Sequence, residues 1–289
     1  MNFGNVLTAM VTPFNQNGDI DFQGVTDLVD YLLENGTDGL VVAGTTGESP
    51  TLSSKEKIDL FAHVVKVVNK RVPVIAGTGS NDTAGSIALT KQAQVCGVDA
   101  IMLVTPYYNK PSQRGLYEHF VQIANATDLP IMLYNIPGRS VVNMQAETVI
   151  NLSEIDNIVS VKEASGDLNQ ASTIIEKTTR DFSVYCGEDG ITLPMLAIGA
   201  AGVVSVASHI IGPDLRKMVA AFKKGHVYEA AALHRQLLPV MNGLFMYPSP
   251  MPVKYALQQK GISVGSVRLP LVSLLEYEKN KINKIIMDC

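Results

Sequence analysis

Charge is scarce in this chain: Asp, Glu, Lys and Arg make up 17% of its 289 residues, against about 25% in an ordinary soluble domain. The apolar set is 46%, enough at this length for a large core, which excludes intrinsic disorder as the main state. No run of Lys or Arg occurs and the formal net charge is −4, so there is no electrostatic footprint for nucleic acid or an anionic membrane. Small molecules are the expected ligands. Cysteines are few and odd in number: Cys96, Cys186 and Cys289 are widely spaced, with no Cys-x-x-Cys. They imply neither a disulfide framework nor a structural zinc site, and a reducing cytoplasm is the expected compartment. The opening Met1-Asn2-Phe3-Gly4-Asn5 lacks the basic region and apolar core of a signal peptide.

One long segment, 190–213, lacks charge altogether, and its length suffices to span a bilayer. Pro194, Gly199, Gly202, Ser205, Ser208 and His209 interrupt it, and its pattern changes midway from helix-like to the strand-like Val203, Val204 and Val206. These interruptions argue against a membrane span.

What is present is a repeat of pattern. Short Val/Ile-rich runs at 6–11, 40–43, 74–76, 100–104, 131–134, 158–161, 182–186 and 203–206 each lead into Gly, Thr, Ser, Asn or Pro and then a longer amphipathic segment. Continuous apolar runs imply strands buried on both faces, as in a parallel sheet jacketed by helices. Eight of them, in a length that a barrel of about 250 residues nearly fills, predict an α/β protein of the (β/α)8 TIM-barrel type. Ser53 and Glu56 form a Ser-x-x-Glu capping box ahead of Ile58, Leu60, Phe61, Val64 and Val65, which specifies one helix start. After the eighth run, helical patterns at 214–224, 226–241, 253–259 and 270–287 predict a barrel over 1–224 and a C-terminal helical subdomain over 225–289.

Active sites of such barrels lie where strands end and βα-loops begin. Lys162 closes the apolar run Ile158-Val159-Ser160-Val161, and strand alternation puts Ser160, Lys162 and Ala164 on the interior face. A lysine desolvated there is disfavoured as the cation, which suits a nucleophilic amine. The alternative is a structural ion pair with Glu163, Asp167 or Glu188. The turn Gly44-Thr45-Thr46-Gly47-Glu48 offers backbone N–H groups and two hydroxyls as a cradle for a small carboxylate or phosphate, or else is a plain strand-to-helix turn. It is not a P-loop, and Gly77-Thr78-Gly79-Ser80-Asn81 lacks the third glycine of a dinucleotide fingerprint. Tyr134, Tyr107 and Tyr108 supply phenols that need a relay to act as bases, and Arg139 after Pro137-Gly138 could bind a carboxylate bidentately or be a solvated loop residue. Glu48, Glu163, Asp167, Glu188 and Asp189 include candidates for a glycosidase-type carboxylate pair. The five histidines show no metal-ligand spacing, so neither a catalytic metal nor a cofactor is predicted.

Taken together, Gly44-Thr45-Thr46-Gly47-Glu48-Ser49, Tyr107-Tyr108-Asn109-Lys110-Pro111-Ser112, Tyr134-Asn135-Ile136-Pro137-Gly138-Arg139 and Lys162-Glu163-Ala164-Ser165-Gly166-Asp167 closely resemble the dihydrodipicolinate synthases (4-hydroxy-tetrahydrodipicolinate synthases). The likeness extends over essentially the whole chain, to Pro250-Met251-Pro252-Val253-Lys254 and Arg268-Leu269-Pro270-Leu271. It implies that Lys162 forms a Schiff base with pyruvate, that Tyr134 donates and accepts protons, and that Thr45 and Tyr108 complete a relay. Tyr108 would come from a neighbouring subunit of a homodimer or homotetramer. Thr46 and the backbone at Val204 would hold the pyruvate carboxylate, and Arg139 that of L-aspartate 4-semialdehyde. Where lysine-inhibited members carry a histidine and a glutamate, this chain has Ser54, Lys57 and Gly85, with Asn81 and Tyr107 retained. A lost carboxylate and an added cation predict poor lysine feedback. Sister enzymes such as N-acetylneuraminate lyase or a 2-keto-3-deoxy sugar-acid aldolase would share the lysine chemistry, but Arg139 argues against them. A barrel that binds a small acid without turnover is the remaining alternative.

Overall fold

The computed structural model describes residues 2–287; Cys289 lies outside them. Eight parallel strands close into one barrel in sequence order: β1 (Val6–Ala9), β2 (Gly39–Val42), β3 (Val74–Gly77), β4 (Ala100–Val104), β5 (Ile131–Asn135), β6 (Ile158–Glu163), β7 (Ser183–Cys186) and β8 (Gly202–Ser205). β8 returns to β1 through Val6↔Val203, Leu7↔Val204 and Thr8↔Ser205, which completes the ring. Each predicted apolar run contains one strand.

The helical jacket comprises α1 (Phe22–Glu34), α2 (Ser54–Val68), α3 (Thr83–Val95), α4 (Gln113–Ala124), α5 (Pro137–Ser140), α6 (Ala146–Leu152), α7 (Leu168–Lys177), α8 (Thr192–Ala197) and α9 (Ser208–Lys223). Beyond it lie α10 (Val227–Gly243), α11 (Met251–Gln259) and α12 (Glu276–Met287). Side chains accepting orphan N–H groups start five of these helices: Asp21 at α1, Ser53 at α2, Asp82 at α3, Ser112 at α4 and Asp167 at α7. The predicted Ser53–Glu56 box is present in both directions.

Two helical expectations are corrected. α9 begins at Ser208 rather than 214 and turns at Ile211 (φ −121°, ψ 29°), with Pro213 inside it. Residues 270–275 are not helical: α12 starts at Glu276, where the Glu278 carboxylate accepts the Leu275 N–H. The uncharged segment 190–213 supplies α8, β8 and the first turns of α9. Among the described residues no helix is long and apolar enough to cross a membrane. α10 packs on α9 and α12, and α11 on the same two helices, so the C-terminal helices dock on the barrel through α9.

Candidate active site

The C-terminal ends of β2, β4, β5, β6 and β7 surround a cleft with two lobes. One lobe, about 400 Å³, lies between the loops after β2, β4 and β5, with Thr45, Tyr107, Tyr108, Tyr134 and Arg139 on its wall. The other, about 290 Å³, is lined by Thr45, Thr46, Tyr134, Arg139 and Lys162 together with Glu188, Asp189 and Val206. Thr45, Tyr134, Ile136 and Arg139 border both lobes and form their common wall.

Lys162 lines the second lobe, 6% exposed, with Nζ 4.2 Å from the centroid of the Tyr134 ring. The pairing Tyr134↔Lys162 between β5 and β6 fixes that juxtaposition. The structural ion-pair alternative does not hold: among the described residues no carboxylate lies within salt-bridge distance of Lys162. Glu163 instead accepts from Asn135, Gln170 and the Ser165 N–H, and Asp167 caps α7. Asp189 accepts from the Ser205 hydroxyl and the Val206 and Ala207 N–H groups. Its burial pushes its pKa up, countered by those bonds and by the charge of Lys162. With Glu48 paired elsewhere, no two of the five candidate carboxylates stand free as an acid–base couple; Glu188 and Asp189 line the lobe, and Asp189 is consumed as a cap. The described residues contain no group of three or more His, Cys, Asp or Glu side chains placed to hold a metal ion.

The turn after β2 is tightly specified. Ala43 (φ 52°) and Glu48 (φ 57°) adopt left-handed backbone on either side of it, Ser49 N–H bonds Gly44 O, Glu48 N–H bonds Thr45 O, and the Thr12 hydroxyl donates to Gly47 O. Among the described residues, the N–H groups of Thr45, Thr46 and Gly47 meet no acceptor. The expected anion cradle is therefore available. Non-glycine residues with positive φ gather at this end of the barrel, Tyr108 (φ 70°), Lys110 and Val141 among them, as is common where loops are held in strained geometry for function.

Tyr108 borders the first lobe but is 88% exposed, and no hydrogen bond joins Tyr134 to Thr45 or Tyr108 among the described residues. Arg139, on α5, is solvent-exposed and faces both lobes. Val204 lies inside β8, and Val206, two residues on, is the one that lines the second lobe. Sequence reasoning missed Met241, Asn242, Phe245 and Ser249, which reach the Lys162 lobe from α10 and the loop after it. No local signal marks them, because only the packing of α10 on α9 brings them there.

Fold and cleft together define a (β/α)8 barrel enzyme with a buried strand-end lysine beside a tyrosine. The model of the Dihydrodipicolinate synthetase family matches residues 2–289, and the chain belongs to that family. It is 59% identical over 289 residues to the 4-hydroxy-tetrahydrodipicolinate synthase of Bacillus subtilis, all of each chain being covered. A solved dihydrodipicolinate synthase of Bacillus anthracis superposes with a TM-score of 0.99 at 58% identity, covering 100% of this chain and 99% of that one. A second, from Cyanidioschyzon merolae with lysine bound, has a TM-score of 0.97 at 45% identity over 99% and 98% of the two chains.

Proposed function

We propose that this barrel is a lyase of lysine and diaminopimelate biosynthesis that condenses pyruvate with L-aspartate 4-semialdehyde, as its relatives' name, 4-hydroxy-tetrahydrodipicolinate synthase, describes. The observation that carries the reading is the second lobe, which Lys162, Tyr134, Thr45, Thr46 and Arg139 all line and in which Lys162 has no carboxylate within ion-pair distance among the described residues. The Lys162 amine adds to the pyruvate ketone and water leaves, giving an iminium that serves as electron sink. A methyl proton is then lost, the enamine attacks the aldehyde carbon, and the amine of the second substrate displaces Lys162 as the ring closes. Tyr134, 4.2 Å from the amine by its ring, moves the protons, with Thr45 and Tyr108 as relay partners. Thr46, the free N–H groups of its turn and the backbone at Val204 take the pyruvate carboxylate. Arg139 takes that of the semialdehyde.

The working form is a homodimer or homotetramer in the cytoplasm. The exposed side chain and left-handed backbone of Tyr108 support its reception by a neighbouring subunit's cleft. All eight strands precede α10, which supports reading 1–224 as barrel and 225–289 as helical subdomain. Lysine feedback is weak: Lys57, half-buried, stands where a lysine-binding cleft needs an acceptor, and it offers only donors. Submillimolar lysine is expected to leave turnover unchanged, and strong inhibition overturns this part.

Borohydride reduction in the presence of pyruvate, followed by peptide mass mapping, is expected to place the adduct on Lys162. Lys162→Ala should abolish it; an adduct elsewhere, or none in the native protein, sinks the mechanism. Arg139→Ala is expected to keep the adduct and raise KM for the semialdehyde about tenfold or more, the loss of a charged hydrogen-bonding partner. Sugar aldehydes used in place of the semialdehyde separate this enzyme from the neuraminate and sugar-acid lyases.

A further inference from the structure

Glu48 ends the turn that carries Thr45 and Thr46, yet its side chain points away from the cleft into a buried ion pair with Lys254 on α11, 2.8 Å apart, the two side chains 2% and 3% exposed. The other carboxylate oxygen accepts the Arg268 N–H at 2.9 Å. Lys254 also donates to Ser266 O at 2.7 Å. Lys254 Nζ and the Arg268 guanidinium lie 4.1 and 4.4 Å from the Phe14 ring centroid. From there Arg268 reaches Gly18 O, Thr51 O and the Glu56 carboxylate, which belongs to the cap of α2. The C-terminal segment thus grips the far end of the turn at Glu48 and the short helical turn just after it at Thr51. Neither Glu48, Lys254 nor Arg268 lines either lobe of the cleft.

We propose that the Glu48–Lys254 pair, closed by Arg268, is a positioning clamp: it fixes the β2 turn so that Thr45, Thr46 and the free turn N–H groups meet pyruvate, and so couples the C-terminal helices to Schiff-base formation. A buried pair of this kind is weak evidence for stability, since its desolvation cost offsets much of its attraction. Its worth here is geometric. Burial lowers the Lys254 pKa, opposed by the charge of Glu48 and its bond to the amine. The proposal rests on the reading that pyruvate lies against Thr45 and Thr46.

The test compares Lys254→Met, Arg268→Met and the double variant Glu48→Gln/Lys254→Met in the full chain, with Thr46→Val as reference. Each is assayed for both KM values, kcat, the rate of borohydride-trapped pyruvate adduct and melting temperature. Removing both charges should restore much of the stability lost in Lys254→Met, while pyruvate KM stays raised about fivefold or more and adduct formation stays slow. Semialdehyde KM should remain within about twofold, because Arg139 is held by α5, an element that none of the three clamp residues bonds. A double variant with native pyruvate KM and native adduct rate overturns the clamp, as does failure of all three variants to fold, which assigns the cluster to stability alone. If Thr46→Val also leaves pyruvate binding intact, the reading of the turn has failed. If Thr46→Val is impaired and the clamp variants are not, the clamp alone has failed.

Discussion

A methyl group at position 187 would lie 2.7 Å from Ala164 Cβ, 3.0 Å from Lys162 Cγ and 3.1 Å from Lys162 Cε. Gly187, just past β7, is therefore the gap through which the lysine side chain runs toward Tyr134. Gly187→Ala is expected to push the Lys162 stem aside at a stability cost of about 1–3 kcal/mol, the usual range for overpacking. Adduct formation with pyruvate should fall by about tenfold or more, since displacing a reacting group by an ångström costs more than that. A variant that traps pyruvate at the native rate refutes the role of this gap. Lys162 itself was legible in the sequence, as a lone charge closing an apolar run on the interior face. What could not be read was that its candidate partners Glu163, Asp167 and Glu188 leave it unpaired. The need for glycine at 187 was equally hidden, because it arises from the β6–β7 register, Lys162↔Tyr185 and Glu163↔Cys186, which joins residues more than twenty positions apart.

Elements were legible where their grammar is local. The eight strands follow from apolar runs, and the α2 start from Ser53 and Glu56, because capping acts within one turn. The start of α9 was not, because its first N–H groups bond within an uncharged turn, Ser208 to the Ser205 hydroxyl, His209 to Val206 O, and Ile210 and Ile211 to Ala207 O. Asp189, in the short turn after β7, accepts from the Val206 and Ala207 N–H groups at 3.0 and 2.9 Å and from the Ser205 hydroxyl. It thereby ties the end of β7 to the end of β8, just ahead of the short helical turn that precedes the kink at Ile211. Asp189→Ala would leave three buried donors unpaired, at about 1–3 kcal/mol for each that water cannot reach, so an unfolding free energy lower by about 3 kcal/mol or more is expected from urea titration. Asp189→Asn preserves one acceptor and should cost less. Equal stability of native and Ala forms would remove Asp189 from this role. The non-helical 270–275 stretch escaped sequence reading for a related reason. The preceding segment, 265–268, is committed to partners far off, Lys254 and Gln258 on α11 and Glu48 in the β2 turn, which its own pattern does not reveal.

For the molecule as a whole, scarcity of charge shifts the burden of acid sensitivity onto a few buried groups. His209 is fully buried, its Nε2 accepting the Val11 N–H and its Nδ1 bonding Val206 O, and burial lowers its pKa from 6.5 to about 4. His119, buried against Phe120 with Nδ1 bonded to the Thr83 hydroxyl, is likewise lowered to about 4 by burial, partly opposed by Asp82. Between pH 6.5 and 4 the unfolded chain binds protons at both positions and the folded chain does not, so stability falls as pH drops through that window. Each fully buried histidine contributes at most about 1.4 kcal/mol per pH unit there. Glu56 acts in a different window. Its bond with Arg268 lowers it from 4.5 to about 2, so its contribution is complete above pH 4.5 and lost as pH falls from there toward 2. Partial exposure keeps that contribution to about 2 kcal/mol. Urea unfolding from pH 7.5 to 4.5 should therefore show a decline that begins near pH 6.5. His119→Gln should reduce its slope, because one of the proton-binding differences is removed while those of His209, His63 and His234 remain. A native profile flat from pH 7 to 5 would show that these histidines accept protons in the folded state, and the account of a core closed around them would have to be abandoned.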